Sequence, residues 1–157
     1  MRKSLALTFL TGVLTATLAA QQLQRINPDG LSKPATYTHV VRAGTLLFIA
    51  GQVGAKADGT VIGPGMREQV EQVLSNLSTA LKSQGADFSH VAKITIYTTS
   101  IAEYRAPEVA EVRAKYFGEH RPASTLVQIS QLANPAYKVE IEAIAVLPSA
   151  IDVRPVR

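Results

Sequence analysis

Residues 120–147, HRPASTLVQISQLANPAYKVEIEAIAVL, set the tightest limits on what this chain can fold into. The run over 139–147 starts by alternating, with Val139 and Ile141 on one side and Glu140 and Glu142 on the other. From Ala143 through Leu147 every position is apolar. A period of two that turns into an unbroken apolar run predicts a strand whose far end is buried on both faces. The shorter run over 124–129 is rich in β-branched and aliphatic residues, and Asn134-Pro135 breaks the chain between the two. Glu140 and Glu142 stand where polarity gives way to burial, the best local place for chemistry. Alternating Glu is also how a solvated sheet face reads.

Upstream, residues 37–42 and 45–52 form two β-rich runs joined at Ala43-Gly44, the pattern of a hairpin. Asp58-Gly59 marks a turn, and Gly63-Pro64-Gly65 stops any strand. A helix is expected over 66–83, because Met66, Val70, Val73, Leu74, Leu77 and Leu81 make one apolar stripe, with Gly85 beyond its end. A strand over 91–98 follows. A second helix is expected from Pro107, well suited to a first helical position, to Phe117, with Val109, Val112, Tyr116 and Phe117 on its apolar face and Gly118 ending it. The order β-β-α-β-α-β-β needs crossover connections, hence a two-layer α/β sandwich: a mixed sheet with two helices on one face. The sheet's other face is then left for another subunit to cover.

At 157 residues the chain is one domain long, and with aromatics at 6% its core should be aliphatic. There is no cysteine, so thiol chemistry, disulfides and Cys-bound metals are excluded. Arg2 and Lys3 precede an apolar run over 5–20 ending in Ala19 and Ala20, the pattern of a secretory signal. Residues 1–20 are therefore expected to be removed on export to a periplasmic or secreted location. That leaves an N-terminal arm over 21–35, a domain over 36–150 and a tail over 151–157. The apolar run is short and dotted with threonines, so no stable membrane span is expected after cleavage. Loss of Arg2 and Lys3 takes two from a formal charge of +4, and no basic run interleaves with aromatics. Nucleic acid is not an expected partner.

Few groups offer strong chemistry. His39, His90 and His120 have no metal-ligand spacing with one another or with paired carboxylates. His90 and His120 sit beside turns, where a solvated histidine is the plain reading. Gly63-Pro64-Gly65 has proline where a phosphate loop needs an N–H, and Ser124 has no neighbouring base. Neither a metal nor a cofactor is expected.

Arg121-Pro122-Ala123-Ser124, followed by residues 139–145 (VEIEAIA), resembles the C-terminal signature of the RidA (YjgF) family of reactive-intermediate deaminases. Residues 48–52 (FIAGQ), 72–77 (QVLSNL) and Tyr116-Phe117 match upstream in the same order, so the resemblance spans roughly residues 37–146. It implies homotrimers with sites in the clefts between subunits. It also implies hydrolysis of small enamines and imines to a carbonyl compound and ammonia. In such proteins an arginine clamps the substrate carboxylate while a glutamate and backbone groups place a water; positioning suffices because the imine carbon is already electrophilic. Glu140 aligns with that glutamate, Tyr37 with a pocket tyrosine and Gly51 with a pocket backbone position. The family pattern Pro-Ala-Arg-Ser reads Pro122-Ala123-Ser124-Thr125 here, so the clamp position is Ser124. Arg113 and Arg121 are the candidate substitute cations, and a solvated arginine is the plain reading of each. Two functions follow: an exported hydrolase of small imines, or a non-catalytic trimeric small-molecule-binding protein that kept the cleft and lost the clamp.

Overall fold

The computed structural model describes residues 22–148; the expected signal over 1–20 and the tail over 151–157 lie outside the described residues. Six strands and three α-helices follow in the order β1 (Leu23–Ile26), β2 (Val40–Ala43), β3 (Leu46–Val53), α1 (Met66–Lys82), β4 (Val91–Thr98), α2 (Ile101–Tyr104), α3 (Pro107–Phe117), β5 (Ala123–Gln128) and β6 (Val139–Val146). The strands form one mixed sheet in the order β1-β2-β3-β6-β4-β5. Among the described strands only β4 and β5 pair in parallel. The crossover through α1 leaves a gap one strand wide between β3 and β4, and β6 fills it, antiparallel to both.

Helix and sheet meet through apolar stripes of matching period. Val70, Val73, Leu74, Leu77 and Leu81 of α1 are almost wholly buried, worth roughly 1.5–3 kcal/mol each. They pack with Leu47 and Ile49 of β3, Ile94 and Ile96 of β4, and Val139, Ile141, Ala143 and Ala145 of β6. Both long helices lie on that face. Between β2 and β3 the chain turns in two residues, and Gly44 takes the left-handed φ of 61° that the first position of a II′ hairpin requires.

An extra strand, a later start of β2 and the short helix α2 depart from the sequence reading. The polar arm contains a strand, since Leu23–Ile26 pairs with β2 and extends the sheet by one edge. β2 begins at Val40 rather than at Tyr37, because the His39 N–H is taken by the Asn27 side-chain oxygen at 3.0 Å instead of by a strand. The apolar end of β6 is buried on one face only within the subunit. Val146 is 43% exposed, as are Phe48 at 44% and Leu46 at 40% on the neighbouring strand, because no layer covers that side.

Two buried amides on the apolar face of α1 tie the loops down. Gln69 donates from Nε2 to the carbonyls of Gly63 (3.2 Å) and Ala136 (2.8 Å), and its Oε1 accepts from the Lys138 N–H at 2.8 Å. Asn76 donates from Nδ2 to the carbonyls of Val53 and Ala55 and accepts from Gln72. Gln69 itself has no solvent exposure, and its removal leaves three backbone groups without the partner that held them. Gln69→Ala should therefore cost about 2–4 kcal/mol, read as a lowered urea midpoint with unchanged slope; a loss within experimental error would show that these bonds do not hold the loops.

Candidate functional site

A bulge in β3 builds the site. Ile49 pairs with Ala143 and Gln52 with Ile141, so Ala50 and Gly51 together face Glu142 alone. The extra residue turns the Gly51 backbone toward the open sheet face, where Glu140 projects from β6. A Cβ at Gly51 would sit 2.6 Å from the Glu140 carboxyl carbon. Only glycine lets that carboxyl lie against the backbone. Burial there pushes the Glu140 pKa above its ordinary value of 4.5, and the neighbouring Glu142 charge pushes it the same way. A half-buried carboxylate with raised basicity is suited to taking a proton from water near neutral pH.

Polar side chains behind the bulge hold it in place. Gln52, 2% exposed, donates from Nε2 to the Ala50 carbonyl at 2.9 Å and to His39 Nδ1 at 3.1 Å. With Nδ1 accepting, the His39 proton sits on Nε2 and donates to the Ser32 carbonyl at 3.0 Å. Burial lowers the His39 pKa, partly offset by that carbonyl, so the ring is neutral. Tyr37 stands edge-on to His39 with ring centroids 5.5 Å apart. Tyr37, His39, Gly51, Gln52 and Asn76 all line a small cavity of about 100 Å3, and the Glu140 carboxyl lies against its Gly51 wall.

Ser124 is elsewhere. It pairs with Ile94, which pairs with Ala143, so its side chain is on the helix-covered face; Glu140 pairs with Tyr97 on the opposite face. Ser124, Arg113 and Arg121 share a second cavity, between α3 and the β4–β5 edge. Arg121 precedes β5 and donates to the carbonyls of Gly118 and His120, at 2.8 and 3.1 Å. Arg113 stacks on Tyr104 at 4.8 Å. One subunit thus sets Glu140 against Gly51, with Tyr37 in the cavity that Gly51 lines, and separates them from Ser124 and both arginines. His90 caps a turn with Asp87 at the surface, while His120 lines the second cavity. Among the described residues no group of His, Asp or Glu is arranged to hold a metal ion. The positioning roles of His39, Gln52 and Gln69 were missed; a polar residue on an apolar stripe, as Gln69 is beside Val70, is the signal that marks such groups.

Fold and site together define a small α/β sandwich with a carboxylate seated on a sheet bulge. Residues 29–147 match the family described as Endoribonuclease L-PSP, and the chain belongs to this family, that of the RidA (YjgF) proteins. The chain is 38% identical over 112 residues to the chloroplastic Reactive Intermediate Deaminase A of Arabidopsis thaliana, covering 71% of this chain and 58% of that relative, less than two thirds of its length. It is 31% identical over 111 residues to human 2-iminobutanoate/2-iminopropanoate deaminase, covering 70% and 79% of the two chains. The crystal structure of RidA from the Antarctic bacterium Psychrobacter sp. superposes with a TM-score of 0.72 at 27% identity, covering 79% of this chain and 99% of that one.

The His39 bonds give a pH signature. In the unfolded chain His39 takes up a proton near its ordinary 6.5, but in the fold only at lower pH. Between those values the unfolded state binds more protons, so stability falls as pH drops through about 6.5. Urea unfolding of wild type and His39→Gln should show a shallower decline in the variant over this window. Parallel curves would mean that His39 is not held neutral.

Proposed function

We propose that the chain hydrolyses small enamines and imines to a carbonyl compound and ammonia, with Glu140 serving the attacking water. The observation that carries this is the Glu140 carboxyl lying against the Gly51 backbone with its pKa raised by burial. An enamine first tautomerises to the imine; water oxygen then adds to the imine carbon while Glu140 takes one water proton and passes it to the nitrogen. In the carbinolamine Glu140 takes the hydroxyl proton and passes it to the nitrogen as the C–N bond breaks, leaving the carbonyl compound and ammonia. Relatives named as deaminases of reactive intermediates and of 2-iminobutanoate and 2-iminopropanoate support this class of reaction. The ribonuclease wording of the family description finds less support, because the Tyr37–Gly51 cavity carries one basic side chain, Lys56, and no basic track.

The proposal includes a cleft shared between subunits of a homotrimer. Clamp position and glutamate lie on opposite faces of one sheet, so a site using both is most simply built from two subunits. The uncovered apolar residues Leu46, Phe48 and Val146 supply a face for that contact. Export of the chain, with residues 1–20 as the signal, belongs to the same proposal, and the intact mass of protein from its native host reads it directly. A second reading, a non-catalytic binding protein, is favoured by Ser124, whose hydroxyl cannot replace a bidentate guanidinium.

Keto-acid release from enzymatically generated 2-aminoacrylate separates the readings. Wild type should be slow on this anionic substrate, Ser124→Arg faster by ~10- to 10³-fold, and Glu140→Gln slower than wild type. Absence of turnover on any imine by wild type and by Ser124→Arg would leave the binding reading. Light scattering that shows a monomer at all concentrations would remove the shared cleft.

A further inference from the structure

Behind the Ala50–Gly51 bulge runs a chain of polar contacts in which each direction of donation is forced. The carbonyls of Ala50 and Ser32 can only accept hydrogen bonds. Gln52 reaches the Ala50 carbonyl at 2.9 Å and His39 Nδ1 at 3.1 Å through one atom, Nε2, so that atom donates to both. Nδ1 must then accept, and the ring proton sits on Nε2, 3.0 Å from the Ser32 carbonyl and 3.1 Å from the Ser32 hydroxyl. The arrangement admits the neutral ring in one tautomer only. His39 and Gln52 are 4% and 2% exposed, so little water can replace a lost contact.

The contacts end at the bulge. The Ala50 N–H donates to the His39 carbonyl at 2.9 Å, and the Ala50 carbonyl is held by Gln52. Tyr37 packs on the same imidazole. His39 thus supports two walls of the small cavity, Tyr37 directly and Gly51 through Ala50. The other titratable side chains lining that cavity are Tyr37 from the segment before β2, Lys56 from the loop after β3 and Tyr137 from the turn before β6, while α1 contributes the uncharged Asn76. Glu140 of β6 lies beyond Gly51, and no ion pair among the described residues involves His39.

We infer, on the reading that Glu140 serves the water, that His39 is an acid-sensitive positioning residue: a proton taken up at Nδ1 breaks the Gln52–Ala50 contact, loosens the bulge and disables the Glu140 site. Protonation sets a ring N–H against the Gln52 amide N–H at 3.1 Å. Turning the amide over would offer Oε1 to the ring, but the same rotation puts Oε1 against the Ala50 carbonyl, oxygen to oxygen. Gln52 can satisfy the charged ring or the bulge, not both. The backbone pairs Ile49–Ala143 and Gln52–Ile141 flank the bulge and involve neither side chain, so the break stays local. Burial holds the ring's proton affinity below the ordinary 6.5, which places the break in acid rather than at neutral pH.

Heteronuclear NMR of the full chain, titrated downward from neutral pH, follows the His39 ring, the Ala50 and Gly51 amides and the Glu140 carboxyl together. The two amides should move with the midpoint of the His39 ring. In His39→Gln, whose side chain does not titrate, that step should vanish and the amides should follow Glu140 alone. His90→Gln, at a surface turn, should leave the wild-type step in place. Below the ring's midpoint, the ratio of His39→Gln to wild-type keto-acid release from 2-aminoacrylate should rise by up to ~10-fold per pH unit. If neither chain turns this substrate over, the hydrolytic reading fails and the NMR steps still decide the role of His39. If His39→Gln does not fold, the wild-type midpoints of ring, amides and carboxyl decide it by themselves. Amides that ignore the ring's midpoint, a step that persists in His39→Gln, or loss of all resonances together, which is unfolding of the whole chain, would overturn the inference.

Discussion

The structure depends on the insertion of β6 between β3 and β4. Each of those strands is followed by a helix, so the two run parallel with a gap that only a late antiparallel strand can fill. β6 must hydrogen-bond on both edges, and its inner face, Val139, Ile141, Ala143 and Ala145, lies against the stripe of α1. Its outer face is then free to carry Glu140 and Glu142. Core and candidate chemistry therefore sit on alternate residues of one strand. A slip of one residue would exchange them and bury two carboxylates, which strongly specifies the register.

The bulge at Ala50–Gly51 turns this arrangement into a site. Without it, Gly51 would continue the ladder and the Glu140 carboxyl would not lie against it. Maintaining the bulge calls for the buried Gln52 and His39, and Asn76 of α1 secures the chain that follows it. A network of this kind stabilises only when every member is satisfied, which gives amides at the core's edge a role in positioning the carboxylate.

Much of the fold was legible because its signals are local. Pro107 and Gly118 bracket α3, the stripe of α1 has helical period, and the alternation of β6 assigns its faces without reference to any partner. What was not legible depends on distant pairing. Leu23–Ile26 is a strand because β2 lies beside it, and its sequence LQRI shows no clear alternation. α2 is four residues held by the Ser100 cap, too short to show a period. Within the site, Glu140, Gly51 and Tyr37 could be named from sequence. That Ser124 faces away from them could not, since it depends on the register of a parallel pair formed across α3.

The central claim is that the Glu140 carboxyl is withdrawn from water against the Gly51 backbone. Carbon-13 NMR titration of that carboxyl, in wild type and in Gly51→Ala, tests it directly. The wild-type midpoint should lie above the ordinary 4.5, and the variant's should fall back toward it as the new methyl drives the carboxyl into solvent. A wild-type midpoint at or below the ordinary value would contradict the account.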